Sequence, residues 1–207
     1  METLTPRMCV IAGMLLLGSA LQATADDFPI KSIKTFTYVV DYEPFWSPDG
    51  RQIVLISSRH GGMKVHVVDA SSVSHGSDMR QLTTGEAEDD APAWSPDGNK
   101  IVFVSIRGGV SQIFVMNADG SNDHNLSGQG NLDGWPAWSS DGKRIVFSRR
   151  VKGAFQLFVM NRDGGGVRQL TDAPGEFVNP RWSPDGTKIL CSRRLGDMNL
   201  VIFPAPK

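Results

Sequence analysis

Three aspartates, Asp41, Asp89 and Asp133, each stand five residues before a tryptophan, and Glu176 stands six before another. Carboxylates that recur at one position can converge on a hard cation such as Ca²⁺, which takes several oxygens at once. Four arginines, Arg59, Arg107, Arg150 and Arg194, recur at nearly the same spacing, 12 or 13 residues after the tryptophans. Recurring opposite charges suit a second chemistry, in which each acid caps its own loop or pairs with an arginine of a neighbouring unit. That version is favoured, so no cofactor is expected. A divalent cation at Asp41, Asp89, Asp133 and Glu176 is retained as the only metal candidate. No catalytic residue stands out. The histidines, His60, His66, His75 and His124, share no repeat position and lack H-x-x-x-H spacing, and there is no G-x-S-x-G elbow. Gly164-Gly165-Gly166 lies between β-like runs, whereas a phosphate cradle precedes a helix.

The elements that must position these charges follow from a repeat. Ser-Pro-Asp-Gly follows Trp46, Trp94 and Trp182, and Ser-Ser-Asp-Gly follows Trp138, at intervals of 48, 44 and 44 residues. A period of this size marks a solenoid, a propeller or an array. Within the second unit, Ala91 to Ser95 reads as a short strand and Pro96 to Asn99 as a turn. Ile101 to Val104 and Ile113 to Met116 are then strands separated by Gly108-Gly109. Asp119-Gly120 leads to a last short strand around His124 to Leu126. The middle runs are apolar at consecutive positions, as in strands covered on both faces. His66 takes the place of Phe114 and Phe158, and Cys191 that of Phe103 and Phe147, so both are expected in the core. The aspartates of the tryptophan-linked turns, Asp49, Asp97, Asp141 and Asp185, are expected to be turn formers.

P-x-W-S-P-D-G, I-V-F-x-S-x-R, I-F-V-M-N-A-D-G-S and R-Q-L-T together resemble the TolB-type propeller repeat, a relative of the WD-type repeat, over about residues 36–203. The resemblance implies an all-β propeller of four four-stranded blades without the α/β domain that precedes the propeller in TolB, and a role in binding partner proteins of the cell envelope. Similar propellers also accompany serine peptidases or act as lyases on uronate sugars. The fourth unit stops before an R-Q-L-T strand, and Ile33 to Thr37 is β-like, so this segment is expected to complete the last blade. A monomer is expected over a homodimer, the alternative being two chains in one eight-bladed ring. In a propeller the four carboxylates would surround the channel mouth. The four arginines would sit in the loops between second and third strands, as a partner-binding face.

Composition narrows the rest. Lys and Arg number 21 and Asp and Glu 22, a net charge of −1 that argues against nucleic-acid or anionic-membrane binding. Arg7, the apolar run Val10 to Leu17 and Ala23-Thr24-Ala25 form a secretory signal pattern, so residues 1–25 are expected to be removed, leaving Asp26 first. The run is too short to span a bilayer as a helix, so no transmembrane span is expected in the mature chain, 26–207. Cys191 is then the sole cysteine, which excludes an intramolecular disulfide. The sequence reads as an exported, periplasmic or secreted, non-catalytic module that binds another envelope protein. The alternative is a small enzyme, a metal-assisted lyase or hydrolase, at the channel mouth.

Overall fold

The structure, a computed structural model, describes residues 39–71, 78–128 and 130–206. All of them belong to one compact unit, Ser32–Lys207. Every regular element among the described residues is a strand. The first blade comprises β1 (Asp41–Trp46), β2 (Gln52–Ser57), β3 (Lys64–Asp69) and β4 (Arg80–Gln81). The second comprises β5 (Glu88–Trp94), β6 (Lys100–Arg107), β7 (Val110–Asn117) and β8 (His124–Asn125). The third comprises β9 (Asp133–Trp138), β10 (Arg144–Val151), β11 (Ala154–Asn161) and β12 (Arg168–Gln169). The fourth comprises β13 (Glu176–Trp182), β14 (Lys188–Leu195) and β15 (Asp197–Pro204). Each blade is an antiparallel meander in chain order, so the protein is an all-β propeller of four blades. The middle strands outrun the expected segments and carry Arg107, Arg150 and Arg194 within them, leaving only short turns beyond. Arg59 alone lies in a loop.

The tryptophan-linked turn is built by the residues that spell it. Ser95 Oγ donates to Asp97 Oδ1 at 2.6 Å, and the backbone N–H of Asn99 donates to the same oxygen at 3.0 Å. The N–H of Gly98, at φ +71°, closes the turn on the Ser95 carbonyl at 2.9 Å. Only glycine adopts that left-handed conformation without steric cost. Asp49, Asp141 and Asp185 repeat these bonds, as expected of turn formers.

Blades stack through alternating faces of the same strands. Ile101, Phe103, Phe114 and Met116 face the first blade with Trp94, against Val54, Ile56, Val65 and Val67. Val102, Val104, Ile113 and Val115 face the third blade, against Trp138, Ile145, Phe147 and Phe158. Both faces are covered, which is why these strands are apolar throughout. Each fully buried side chain of this kind contributes about 1.5–3 kcal/mol. Phe177, Ile189 and Cys191 carry the pattern to the fourth blade. Burial also pushes the Cys191 thiol up to about 11, so it is an inert core group as expected.

The short fourth strands are fastened by one device. Leu82, Leu126 and Leu170 donate their N–H to the carbonyls of Val65, Ile113 and Leu157 at 2.8, 2.8 and 2.7 Å. The hydroxyls of Thr83, Ser127 and Thr171 accept the N–H of those same three residues at 3.0, 3.0 and 2.9 Å. Among the described residues the fourth blade has no such strand, and it meets the first blade's strands through the Arg181 side chain over Phe45 without close backbone approach. Trp46 is 63% exposed, whereas Trp94 and Trp138 are 9% and 8% exposed. The segment expected to complete the last blade, Ile33 to Thr37, lies outside the described residues.

Candidate functional site

The recurring carboxylates and arginines lie together at one end of each blade because β1 starts where β2 ends, Asp41 facing Ser57, and the other blades repeat this pairing. Asp41 accepts from Arg59 at 2.6 Å. Glu176 accepts from Arg194. Asp133, fully buried in its side chain, accepts twice from Arg149, at 2.7 Å from Nε and 2.9 Å from Nη2. Each pair lies within one blade, so the expectation of neighbouring-blade pairing is corrected: the antiparallel β1–β2 ladder already brings the two ends together. Arg149, one residue before the expected Arg150, does this in the third blade. Arg150 is exposed and donates to the Gly153 carbonyl at 3.3 Å. Arg107 pairs with Asp123 and lies 3.9 Å over the Phe114 ring.

Asp89 breaks the pattern. It is buried, with no direct arginine partner, and burial raises its pKa while bonds from Thr83 and Ser105 oppose the rise. Lys64, buried beside it, donates to the Ala87 carbonyl. The structure does not gather Asp41, Asp89, Asp133 and Glu176 into one cluster. Among the described residues no three His, Cys, Asp or Glu side chains are grouped as metal ligands.

A second set of charges lies on the innermost strands, nearer their tryptophans. In every blade the first strand bulges three residues before its tryptophan, and Glu43, Ala91, Trp135 and Asn179 all have φ near +50°. A bulge kinks the strand and re-aims the side chains around it. In the first two blades it brings carboxylates together. Tyr42 Oη donates to Asp90 Oδ1 at 3.0 Å, and the N–H of Ala91 donates to Glu43 Oε2 at 2.8 Å. Both bonds tie one blade to the next. Burial, followed by the nearby Asp90 charge, pushes the Glu43 carboxyl up from 4.5 to about 7. The Arg181 charge opposes this from the fourth blade, where its guanidinium lies 5.4 Å from the Phe45 ring. A carboxyl half-protonated near neutrality can accept or deliver a proton. The signal was available: at this strand the repeat varies freely between Tyr42, Asp90, Gly134 and Val178, and between Phe45, Ala93, Ala137 and Arg181.

The histidines pair in a way the sequence concealed. His66 is fully buried, as expected of a core residue, and its Nδ1 lies 3.0 Å from the Lys64 carbonyl. Nδ1 must donate there, which leaves Nε2 to accept from His60 Nδ1 at 3.0 Å. Burial lowers the pKa of His66. Both ring nitrogens of His66 are used inside the blade, so it has no free edge for a ligand.

Four antiparallel meanders stacked through tryptophan-bearing strands define a β-propeller with charged residues at one end and a carboxyl pair at its inner strands. The sequence matches the TolB beta propeller domain family over residues 28–203, and the chain belongs to that family. No curated protein matches it. Among solved structures, TolB from Acinetobacter baumannii is 21% identical with a TM-score of 0.70, covering 80% of this chain and 41% of its own. Putative TolB from Agrobacterium tumefaciens is 24% identical, also with a TM-score of 0.70, covering 81% of this chain and 59% of its own. A puromycin hydrolase is 19% identical with a TM-score of 0.64, covering 80% of this chain and 27% of its own. The chain thus spans about half the length of these TolB structures, and the likeness is one of fold.

Proposed function

We propose that this chain is an exported binding module without catalytic activity, and that the end of the propeller bearing Arg59, Arg107, Arg150 and Arg194 meets another protein of the cell envelope. The observation that carries this reading is the fate of the charges. Asp41, Asp133 and Glu176 are each held by an arginine of their own blade and Asp123 by Arg107, while Arg107, Arg150 and Arg194 stay more than one-third exposed on a rigid strand framework and Arg150 has only a backbone carbonyl as partner. Arginine is well suited to such contacts, since its planar fork binds carboxylates in pairs. Export rests on the signal pattern of residues 1–25, which lie outside the described residues. Among those that are described, no helix is long and apolar enough to cross a membrane.

The test is capture from an envelope extract with the mature protein as bait, beside a variant carrying Arg107→Ala, Arg150→Ala and Arg194→Ala. A partner retained by the parent and released from the variant supports the reading. Equal retention by both removes this face from the function.

One observation favours the enzyme alternative: the Tyr42–Asp90 and Glu43 carboxyl pair, with Arg181 across from it and one group poised near neutrality. A lyase or hydrolase would use Glu43 as its general base. Turnover of an ester, amide or uronate substrate that disappears in Glu43→Gln would establish that reading.

A further inference from the structure

The first blade joins its second and third strands by a route of its own. The other blades make this connection through Gly108-Gly109, Lys152-Gly153 and Gly196, whereas the first uses a longer loop, residues 58–63. The base of the loop is tied to the start of β1. The Ser58 N–H donates to the Val40 carbonyl at 3.1 Å, and the Val40 N–H donates to Ser58 Oγ at 3.0 Å. Its tip carries Gly61 and Gly62 at φ +84° and +73° and is held by three side-chain bonds. Arg59 donates to Asp41 at 2.6 Å, the Met63 N–H donates to Glu88 Oε2 at 2.7 Å, and His60 Nδ1 lies 3.0 Å from His66 Nε2. Of the three, only the histidine bond joins groups whose charge ordinarily changes between about pH 5 and 8.

We infer that His60 and His66 form an acid-released latch on the loop that carries Arg59. The Lys64 carbonyl keeps the one proton of His66 on Nδ1, and the bare Nε2 accepts from His60. His60 is exposed and can take a second proton on its own Nε2 without losing that bond. His66 cannot do the same. A proton on its Nε2 would set two N–H groups head to head across 3.0 Å, on a ring that is fully buried. Burial accordingly holds His66 below the usual histidine range. Once His60 swings out, water reaches Nε2 and the ring regains an ordinary proton affinity, near a pKa of about 6.5. The closed loop therefore keeps its full advantage above about pH 6.5 and loses roughly tenfold of it for each unit below. The charged groups about the pair are Asp41 on β1, Arg59 in the loop, Lys64 on β3 and Glu88 on β5. Asp41 favours a proton on His66 and Arg59 opposes it, while Lys64 and Glu88 are engaged with the Ala87 carbonyl and the Met63 N–H. Phe114 and Phe158 fill the place of His66 in the next two blades, so packing alone does not call for an imidazole there. The latch does not depend on the reading of the arginine-bearing end. Where that reading holds, acid frees Arg59 from its fixed place on the face.

The test is amide hydrogen exchange at Gly61 and Met63, followed by NMR in the mature chain and in His60→Ala. Rates are compared between the two proteins at one pH, so that intrinsic exchange cancels. At about pH 7.5 the variant should exchange at least tenfold faster than the parent. At about pH 5.5 that ratio should fall by roughly tenfold, because acid has already opened the parent loop. His66→Phe, which takes the residue of the neighbouring blades, should match His60→Ala at both pH values. Imidazole ¹⁵N spectra at neutral pH should place the His66 proton on Nδ1 alone. Equal exchange in parent and variants at the higher pH overturns the latch, as does a ratio that ignores pH or a His66 proton on Nε2. No partner enters these measurements, so their failure and the failure of the capture experiment are separate results.

Discussion

Glu43→Gln separates the charge at the inner strands from the bonds around it. The amide keeps an oxygen for the Ala91 N–H and cannot ionise. In the parent, burial and the Asp90 charge raise Glu43 from 4.5 to about 7, so the folded state holds a proton that the unfolded chain has released. A carboxyl raised on folding contributes full stability below its unfolded pKa and loses it as pH climbs through the folded value. The window is therefore pH 4.5 to 7. At 1.36 kcal/mol per pH unit the whole shift corresponds to about 3.4 kcal/mol. Glu43 is partly open to water, which trims this to about 2 kcal/mol. The turn aspartates act in the opposite sense, being lowered by their serine and backbone bonds. The readout is accordingly the difference between parent and variant, not either curve alone. Urea unfolding of both proteins at pH 4.5, 6 and 8 should show equal stability at the lowest pH and the variant ahead by about 2 kcal/mol at the highest. For a domain of this size that gap equals about 4–8 °C in melting temperature. A difference that does not change with pH would refute the argument, because it would place Glu43 in water.

Arg149→Met keeps the alkyl packing over Phe147 and Phe158 and strands the buried Asp133 carboxylate. A loss of about 3–5 kcal/mol in urea unfolding is expected, and a loss under 1 kcal/mol would show that water reaches the pair. Trp138→Ala should cost about 3–5 kcal/mol by opening a cavity between the second and third blades, whereas Trp46→Ala, at a 63% exposed site, should cost under 1 kcal/mol. Equal losses would mean that Trp46 is covered in solution. EDTA and then millimolar Ca²⁺ should leave the melting temperature of the parent unchanged. A rise with Ca²⁺ that is lost in Asp89→Asn would instead restore the cation site at Asp41, Asp89, Asp133 and Glu176, since a bound ion stabilises the folded state by mass action.

The architecture was legible because every blade repeats two signals that act locally. Ser-Pro-Asp-Gly determines its own turn through the Ser95 and Asp97 bonds, and consecutive apolar residues reveal strands covered on both faces. The partners of the charges were less legible. Pairing Asp133 with Arg149 in place of Arg150 depends on which side of β10 each arginine leaves, a matter of one residue of register. The Glu43, Asp90 and Tyr42 group escaped notice for the opposite reason. Repetition draws the eye to what recurs, and these residues do not recur. His60 and His66 lie six residues apart across a hairpin, where spacing alone gives no hint of a bond.

The left-handed residue before each tryptophan has an evolutionary side. Glu43, Ala91, Trp135 and Asn179 have nothing in common as side chains, yet all four hold one backbone conformation. Their surroundings differ as much, Ala91 lying in the core, Trp135 edge-on to Phe155 and Asn179 exposed, and for a residue other than glycine the conformation costs on the order of 1–3 kcal/mol. The stacked blades hold the backbone there whatever residue type occupies it. After duplication of a blade, this position can therefore change residue type while the bulge is kept. A saturation scan of Asn179, which is exposed, should therefore show shallow effects on folding yield, whereas one of Ala91, which is buried in the core, should show steep ones.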